Sequence, residues 1–163
     1  MVIWKRLFFV LVLLALAVPA QGTSAAWPDS TESFRARSPK KIVVDLSDQR
    51  VEAYQGSVVV MRFPVSTGRN GNTAVGSFRI RDKKLAPRHA RWGYRMPNWM
   101  GVYYVGREWE NGFHALPVTE DGRELWADQI GTPASDGCIV LRPEDMRKLY
   151  EWAEVGTPVE IVE

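Results

Sequence analysis

From Lys41 onward, apolar residues arrive in short bursts cut by turn-forming residues, and this spacing constrains the fold more than any other feature. Ile42-Val43-Val44-Asp45-Leu46, Arg50-Val51-Glu52-Ala53-Tyr54 and the run from Ser57 to Val65 are rich in β-branched and aromatic residues, and Ser47-Asp48-Gln49 and Gln55-Gly56 separate them. Runs this short suit antiparallel strands joined by tight turns better than helices. Asn70-Gly71-Asn72 marks a further turn or loop. Ser77 to Arg81, Gly101 to Val105, Phe113 to Leu116, Cys138 to Leu141 and Pro158 to Val162 bring the strand candidates to about eight. One stretch has helical period instead: Met146, Leu149, Tyr150 and Ala153 recur at three- and four-residue spacing. Pro143 suits a first helical turn, Glu144 and Asp145 suit its positive end, and Gly156 offers a stop. The expectation is a mostly β domain with one helix directly after the Cys138 strand. Gly and Pro are spread without a period, which excludes collagen-like and repeat architectures.

The N-terminus reads differently. Lys5 and Arg6 precede an uninterrupted apolar run from Leu7 to Val18, and small residues follow at Val18-Pro19-Ala20 and Ser24-Ala25-Ala26. That is the pattern of a secretory signal, and the run is short of the ~20 residues a spanning helix needs. The expected division is a signal peptide over 1–20, a polar tether over 21–40 and a single domain over 41–163. An uncleaved N-terminal anchor is the alternative, and either places the domain outside the cytoplasm. The 21 basic and 19 acidic residues include Lys5 and Arg6, so the exported chain carries 21 − 2 = 19 against 19. A near-neutral domain offers no electrostatic case for nucleic-acid binding.

Export sharpens the meaning of Cys138, the only cysteine. One cysteine cannot staple a fold, so it is a buried inert thiol, an intermolecular link or a nucleophile. Its surroundings are Gly131-Thr132-Pro133-Ala134-Ser135-Asp136-Gly137-Cys138-Ile139-Val140-Leu141. Small and turn-forming residues lead in and an apolar run leads away, which presents a thiol at the start of a strand. A reactive thiol needs an activating group. Of the two histidines, His114 sits 138 − 114 = 24 positions upstream in the apolar run Phe113-His114-Ala115-Leu116-Pro117, whereas His89 lies among Arg88, Arg91 and other polar residues. Cysteine with histidine in an exported β domain points to acyl transfer through a thioester; a core cysteine with a core histidine is the bland alternative.

These residues, taken with several others, resemble the L,D-transpeptidase catalytic domain of the YkuD type. The resemblance rests on His114, Ser135-Asp136-Gly137-Cys138 and Ile139-Val140. It extends to Val44-Asp45-Leu46-Ser47-Asp48-Gln49-Arg50, Phe63-Pro64-Val65-Ser66-Thr67-Gly68, Val75-Gly76-Ser77-Phe78-Arg79-Ile80, Leu149-Tyr150 and Val155-Gly156-Thr157-Pro158-Val159. It implies a β-sandwich of mixed sheets and a cell-wall enzyme acting on peptidoglycan stem peptides. By the same resemblance Cys138 is the nucleophile, His114 the base, and the Ala115 carbonyl its orienting group. Backbone N–H groups around Gly137 and Cys138 would form the oxyanion hole. The acyl-enzyme would pass to an amine of a neighbouring stem in a 3-3 cross-link. Hydrolysis of the same bond, as an L,D-carboxypeptidase, and a catalytically weak wall-binding module are the alternatives. No metal or cofactor is required by this chemistry, and a monomer is expected.

Two positions depart from the family pattern. Asp136 stands where a histidine is usual, and Val140 where a basic or amide residue is usual. A carboxylate beside the thiol disfavours thiolate. Ser135, Asp136 and Arg142 are candidate substrate-binding residues, with Arg142 expected to share the Val140 face if the strand continues that far. The His114–Cys138 spacing is longer than usual, consistent with an inserted hairpin around Thr119-Glu120-Asp121-Gly122. The aromatic, Pro-punctuated stretch from Leu85 to Glu110 is either a flap over a groove or packing for its own sheet. Seven basic residues and one acid lie between Arg79 and Arg95, and four basic and 13 acidic from Glu108 onward. A basic flap over an acidic body suits an anionic wall polymer; a solvated loop is the simpler account.

Overall fold

The computed structural model describes residues 38–163. The expected signal peptide and nearly all of the expected tether lie outside the described residues. Nine strands form two sheets among them. β1 (Lys40–Asp45), β2 (Arg50–Gln55), β3 (Val58–Pro64), β4 (Gly76–Arg79) and β9 (Pro158–Val162) make one sheet in the order β3-β2-β1-β9-β4. β5 (Asp82–Lys84), β6 (Trp99–Val105), β7 (Trp109–Ala115) and β8 (Ile139–Leu141) make the other, in the order β5-β6-β7-β8. β1, β2 and β3 form the expected antiparallel meander, while β1–β9 and β7–β8 pair in parallel, so both sheets are mixed.

Strand alternation places the core. Ile42 and Val44 of β1, Val51 and Ala53 of β2, and Val159 and Ile161 of β9 are buried, and the residues between them stay partly exposed. From the second sheet, Phe113, Ala115, Ile139 and Leu141 meet them in one cluster. Each buried Val, Ile, Leu or Phe among them contributes about 1.5–3 kcal/mol of burial. The helix α1 (Pro143–Trp152) adds Met146 and Leu149 to the same cluster. Pro143 opens it and Glu144 and Asp145 occupy its first turn, as expected. At its C-terminal end the Lys83 ammonium donates to the carbonyls of Tyr150 at 2.5 Å and Ala153 at 2.6 Å, satisfying acceptors the helix leaves open.

Two details correct the sequence reading. β5 was absent from it, because Asp82-Lys83-Lys84 has no apolar period; its pairing with β6 makes it a strand. β8 ends at Leu141, so Arg142 does not continue the strand but stands at the N-cap of α1, exposed and in the field of Asp145.

Candidate active site

β7 and β8 build the site. Their register sets Phe113 against Ile139 and His114 against Val140. Odd-numbered positions enter the core, so His114 and Val140 lie on the opposite face, and Cys138 stands one step before β8, beside Gly112. Ser66 closes the far edge of β8, exchanging backbone hydrogen bonds with Val140 at 2.8 Å in both directions. The strand carrying the thiol is therefore held on both sides.

His114 is 3% exposed, and its ring stacks on Trp99 at 6.0 Å between centroids. Its Nδ1 lies 2.7 Å from the Ala115 carbonyl oxygen. A carbonyl can only accept, so Nδ1 carries the proton and the Nε2 lone pair is the basic one. Burial lowers the ring to about 4 from an ordinary 6.5, the Ala115 carbonyl opposing and the His89 charge adding to the drop. Burial likewise pushes the Cys138 thiol up to about 11 from 9; the Gly112 N–H opposes this, and Asp136 and Glu110 add to it. At neutral pH the pair is thus thiol and imidazole, not thiolate and imidazolium.

The cysteine loop is shaped by its own polar groups. Gly137 N–H donates to Ser135 Oγ at 3.0 Å, and Ser135 Oγ donates to the Cys138 carbonyl at 2.6 Å. Ser135 is thereby turned into the loop, and the Gly137 N–H, one of the two expected oxyanion donors, is already engaged. The Gly137 carbonyl accepts from Thr73 Oγ1 at 3.0 Å and Tyr103 OH at 3.4 Å. Gly137 has φ +142°, and a Cβ there would sit 2.3 Å from Asn111 Nδ2. Asp136 points outward, more than half exposed, and its carboxylate pairs with the Arg69 guanidinium. Arg142, four residues beyond the cysteine at ~3.3 Å per residue, is not gathered into this group.

Residues 85–98 of the aromatic stretch form a flap, whereas Met100, Val102 and Tyr103 of the same stretch pack β6 into the core. His89 N–H donates to the Tyr94 carbonyl at 2.8 Å, Met96 N–H to Pro87 at 2.9 Å and Asn98 N–H to Leu85 at 2.6 Å, which closes a hairpin over the segment. The predicted insertion braces it: Arg95 and Val118 exchange backbone hydrogen bonds at 2.8 and 2.9 Å, and Arg88 pairs with Glu120. Rings run in series from Trp126 to Tyr94 (5.6 Å), His89 (5.2 Å) and Trp109 (5.8 Å). Tyr94 is raised to about 12, first by burial and then by the charges of Cys138 and Asp136, so the hairpin reaches the site. His89 was expected in a solvated polar loop; the structure half-buries it in this ring series, and burial lowers its pKa. Of the seven basic residues between Arg79 and Arg95, three have carboxylate partners: Arg81 with Glu110, Lys84 with Asp82 and Glu110, and Arg88 with Glu120.

Sequence reasoning missed Asn111, whose Oδ1 lies 3.5 Å from Cys138 Sγ, and with it Gly112, Tyr103 and Thr73. Asn111-Gly112 carries a signal: the dipeptide favours turns, yet it stands inside a strand candidate's approach, where glycine marks close contact. A Cβ on Gly112 would meet the Met100 carbonyl oxygen at 2.2 Å.

A two-sheet sandwich that sets one tautomer-fixed histidine on β7 and one cysteine immediately before the parallel strand β8, beside a hairpin flap, defines the class of the protein. Within that class the L,D-transpeptidase catalytic domain (YkuD) model matches residues 39–161, and the chain belongs to this family. It is 28% identical over 121 residues to YciB of Bacillus subtilis (strain 168), which carries an L,D-transpeptidase name, covering 68% of this chain and 59% of that protein. Among solved structures it is similar to an L,D-transpeptidase from Mycobacterium smegmatis, with TM-score 0.63, 19% identity, and coverage of 76% of this chain and 58% of that one. It is also similar to an L,D-transpeptidase from Stackebrandtia nassauensis, with TM-score 0.61, 25% identity, and coverage of 79% and 58%. The chain thus spans less than two thirds of the length of these relatives.

Proposed function

We propose that this protein is an exported cysteine acyltransferase that remodels peptidoglycan. Cys138 Sγ attacks the carbonyl of the third, diaminopimelate-type residue of a stem peptide as its proton passes to His114 Nε2. The terminal D-Ala leaves with that proton on its amine. An amine of a neighbouring stem then attacks the thioester, gives up its proton to Nε2 and releases the thiol, forming a 3-3 cross-link. The Cys138 N–H is the backbone donor assigned to the oxyanion, because the Gly137 N–H already serves Ser135.

The observation that carries this reading is the 2.7 Å hydrogen bond from His114 Nδ1 to the Ala115 carbonyl. It leaves Nε2 as a proton acceptor on the face that Cys138 shares. Membership of the family supplies the substrate class. Carbapenem acylation followed by intact-protein mass spectrometry tests it. A covalent adduct is expected on the wild type and none on Cys138→Ala, with His114→Ala slowed by about 10²–10⁴-fold. Absence of an adduct on the wild type would leave a wall-binding module as the better account. With a tetrapeptide stem, a cross-linked dimer supports transfer, whereas a trimmed stem alone indicates hydrolysis.

A further inference from the structure

We propose that Asn111 is the resting partner of the nucleophile: its side-chain amide, held in one orientation by Tyr103, takes the Cys138 thiol hydrogen bond, which the thiol exchanges for His114 Nε2 only when an acyl donor is seated. This rests on Cys138 acting as the nucleophile.

A thiol has one proton and makes one donated hydrogen bond. Here Sγ lies 3.5 Å from Asn111 Oδ1, an acceptor. While that bond persists, the proton is not directed at His114. The orientation of the amide is itself determined. The Tyr103 hydroxyl accepts from Ala74 N–H at 2.9 Å and donates to the Gly137 carbonyl at 3.4 Å, so its remaining partner must be a donor. Asn111 Nδ2, 3.3 Å away, is that donor, and Oδ1 is thereby turned to the sulfur. Gly137 presses against the same amide, since a Cβ there would fall 3.1 Å from Asn111 Cγ. The other groups facing the thiol are Glu110 and His114 of β7, Asp136 of its own loop paired with Arg69, and Tyr94 of the flap. Among these groups and Asn111, only Asn111 Oδ1 accepts a hydrogen bond from the sulfur; an unprotonated His114 Nε2 would take the proton in reaction, whereas an amide oxygen only holds it. In the reaction the S–H bond breaks, its proton bonds to Nε2, and the sulfur electron pair forms the bond to the acyl carbon.

Alkylation by iodoacetamide from about pH 8 to 12.5, a range that brackets the raised thiol, followed by intact mass, reads the thiol without needing transpeptidase turnover. Tyr103→Phe keeps the ring stacked on Phe78 and leaves the Gly137 carbonyl to Thr73, but frees the amide to turn its N–H toward sulfur. Its alkylation inflection is expected to fall by about half to one pH unit. Asn111→Asp fixes an acceptor beside the sulfur and adds a negative charge, so the inflection should rise. An unmoved inflection in Tyr103→Phe, or a lowered one in Asn111→Asp, in variants whose circular dichroism matches the wild type, overturns the proposal. If carbapenem fails to acylate the wild type while these shifts appear, the acyltransfer reading fails and the Asn111 contact stands.

Discussion

Holding His114 neutral inside the protein makes stability depend on pH in a direction the structure fixes. Burial lowers the ring from 6.5 to about 4, so between those values the unfolded chain binds a proton that the folded protein does not. The contribution is fully present above pH 6.5 and is lost as pH falls toward 4. Linkage over that 6.5 − 4 = 2.5 unit window gives a loss of about 2 kcal/mol by pH 5, relative to pH 7.5, and about 3 kcal/mol by pH 4. The appropriate comparison is His114→Asn, which keeps a donor near the Ala115 carbonyl but does not titrate. Urea unfolding of both proteins at pH 7.5, 6 and 5 yields the difference in free energy, which cancels every group other than residue 114. The variant is expected to gain on the wild type by about 2 kcal/mol between pH 7.5 and 5. A difference that stays flat with pH would refute the reasoning, because the ring would then titrate alike in both states.

Cys138→Ala offers the mirror experiment. A thiol raised from 9 to about 11 stabilises the fold below pH 9 and loses that contribution as pH rises, so the wild type should weaken against the variant by about 1 kcal/mol at pH 10. Gly137→Ala should be costly, because its φ of +142° is rarely adopted by alanine and the new methyl meets Asn111 Nδ2 at 2.3 Å and the Asn72 carbonyl at 3.0 Å. A loss of about 2–4 kcal/mol is expected, near 10 °C in Tm by calorimetry. Arg69→Ala leaves Asp136 without its partner; since both are more than half exposed, thiol alkylation should slow only severalfold at low salt, and the difference should vanish near about 0.5 M salt.

The fold was legible where a local pattern and its burial agree. Ile42-Val43-Val44 and Pro158 to Val162 are short β-branched runs bounded by turn residues, and their strands stand where those runs put them, as does the helix that Met146, Leu149 and Ala153 pack against the sheets. β5 was not legible because Asp82-Lys83-Lys84 owes its conformation to pairing with Trp99, Met100 and Gly101 rather than to side-chain period. Cys138 and His114 could be singled out by scarcity and by apolar neighbours. Tyr103, one tyrosine among five, could not, and the Asn111-Gly112 dipeptide signals only a close approach; the β6–β7 register is what sets Asn111 and Tyr103 opposite each other. The surroundings of His89 were hidden for the same reason. Its sequence neighbours Arg88 and Arg91 are exposed, but the hairpin turns the imidazole toward Tyr94 and Trp109.

Asp136 and Val140, which the sequence reading expected to depart from the family pattern, read differently once the site is assembled. A carboxylate one residue from Gly137 raises the thiol pKa, but it acts alongside burial, which is the larger cause, and Arg69 draws its charge outward. Val140 faces His114 across the β7–β8 pair and is buried, so a branched aliphatic side chain there keeps water from the imidazole on the strand side, as Trp99 does from its ring face. Both changes favour the neutral pair. On the proposed chemistry that is compatible with catalysis, because proton transfer and attack on the acyl carbon proceed together and no free thiolate has to accumulate beneath the flap. Asp136→His would remove the carboxylate, and the alkylation inflection of Cys138 should then move down; an inflection that stays in place would mean that burial alone holds the thiol neutral.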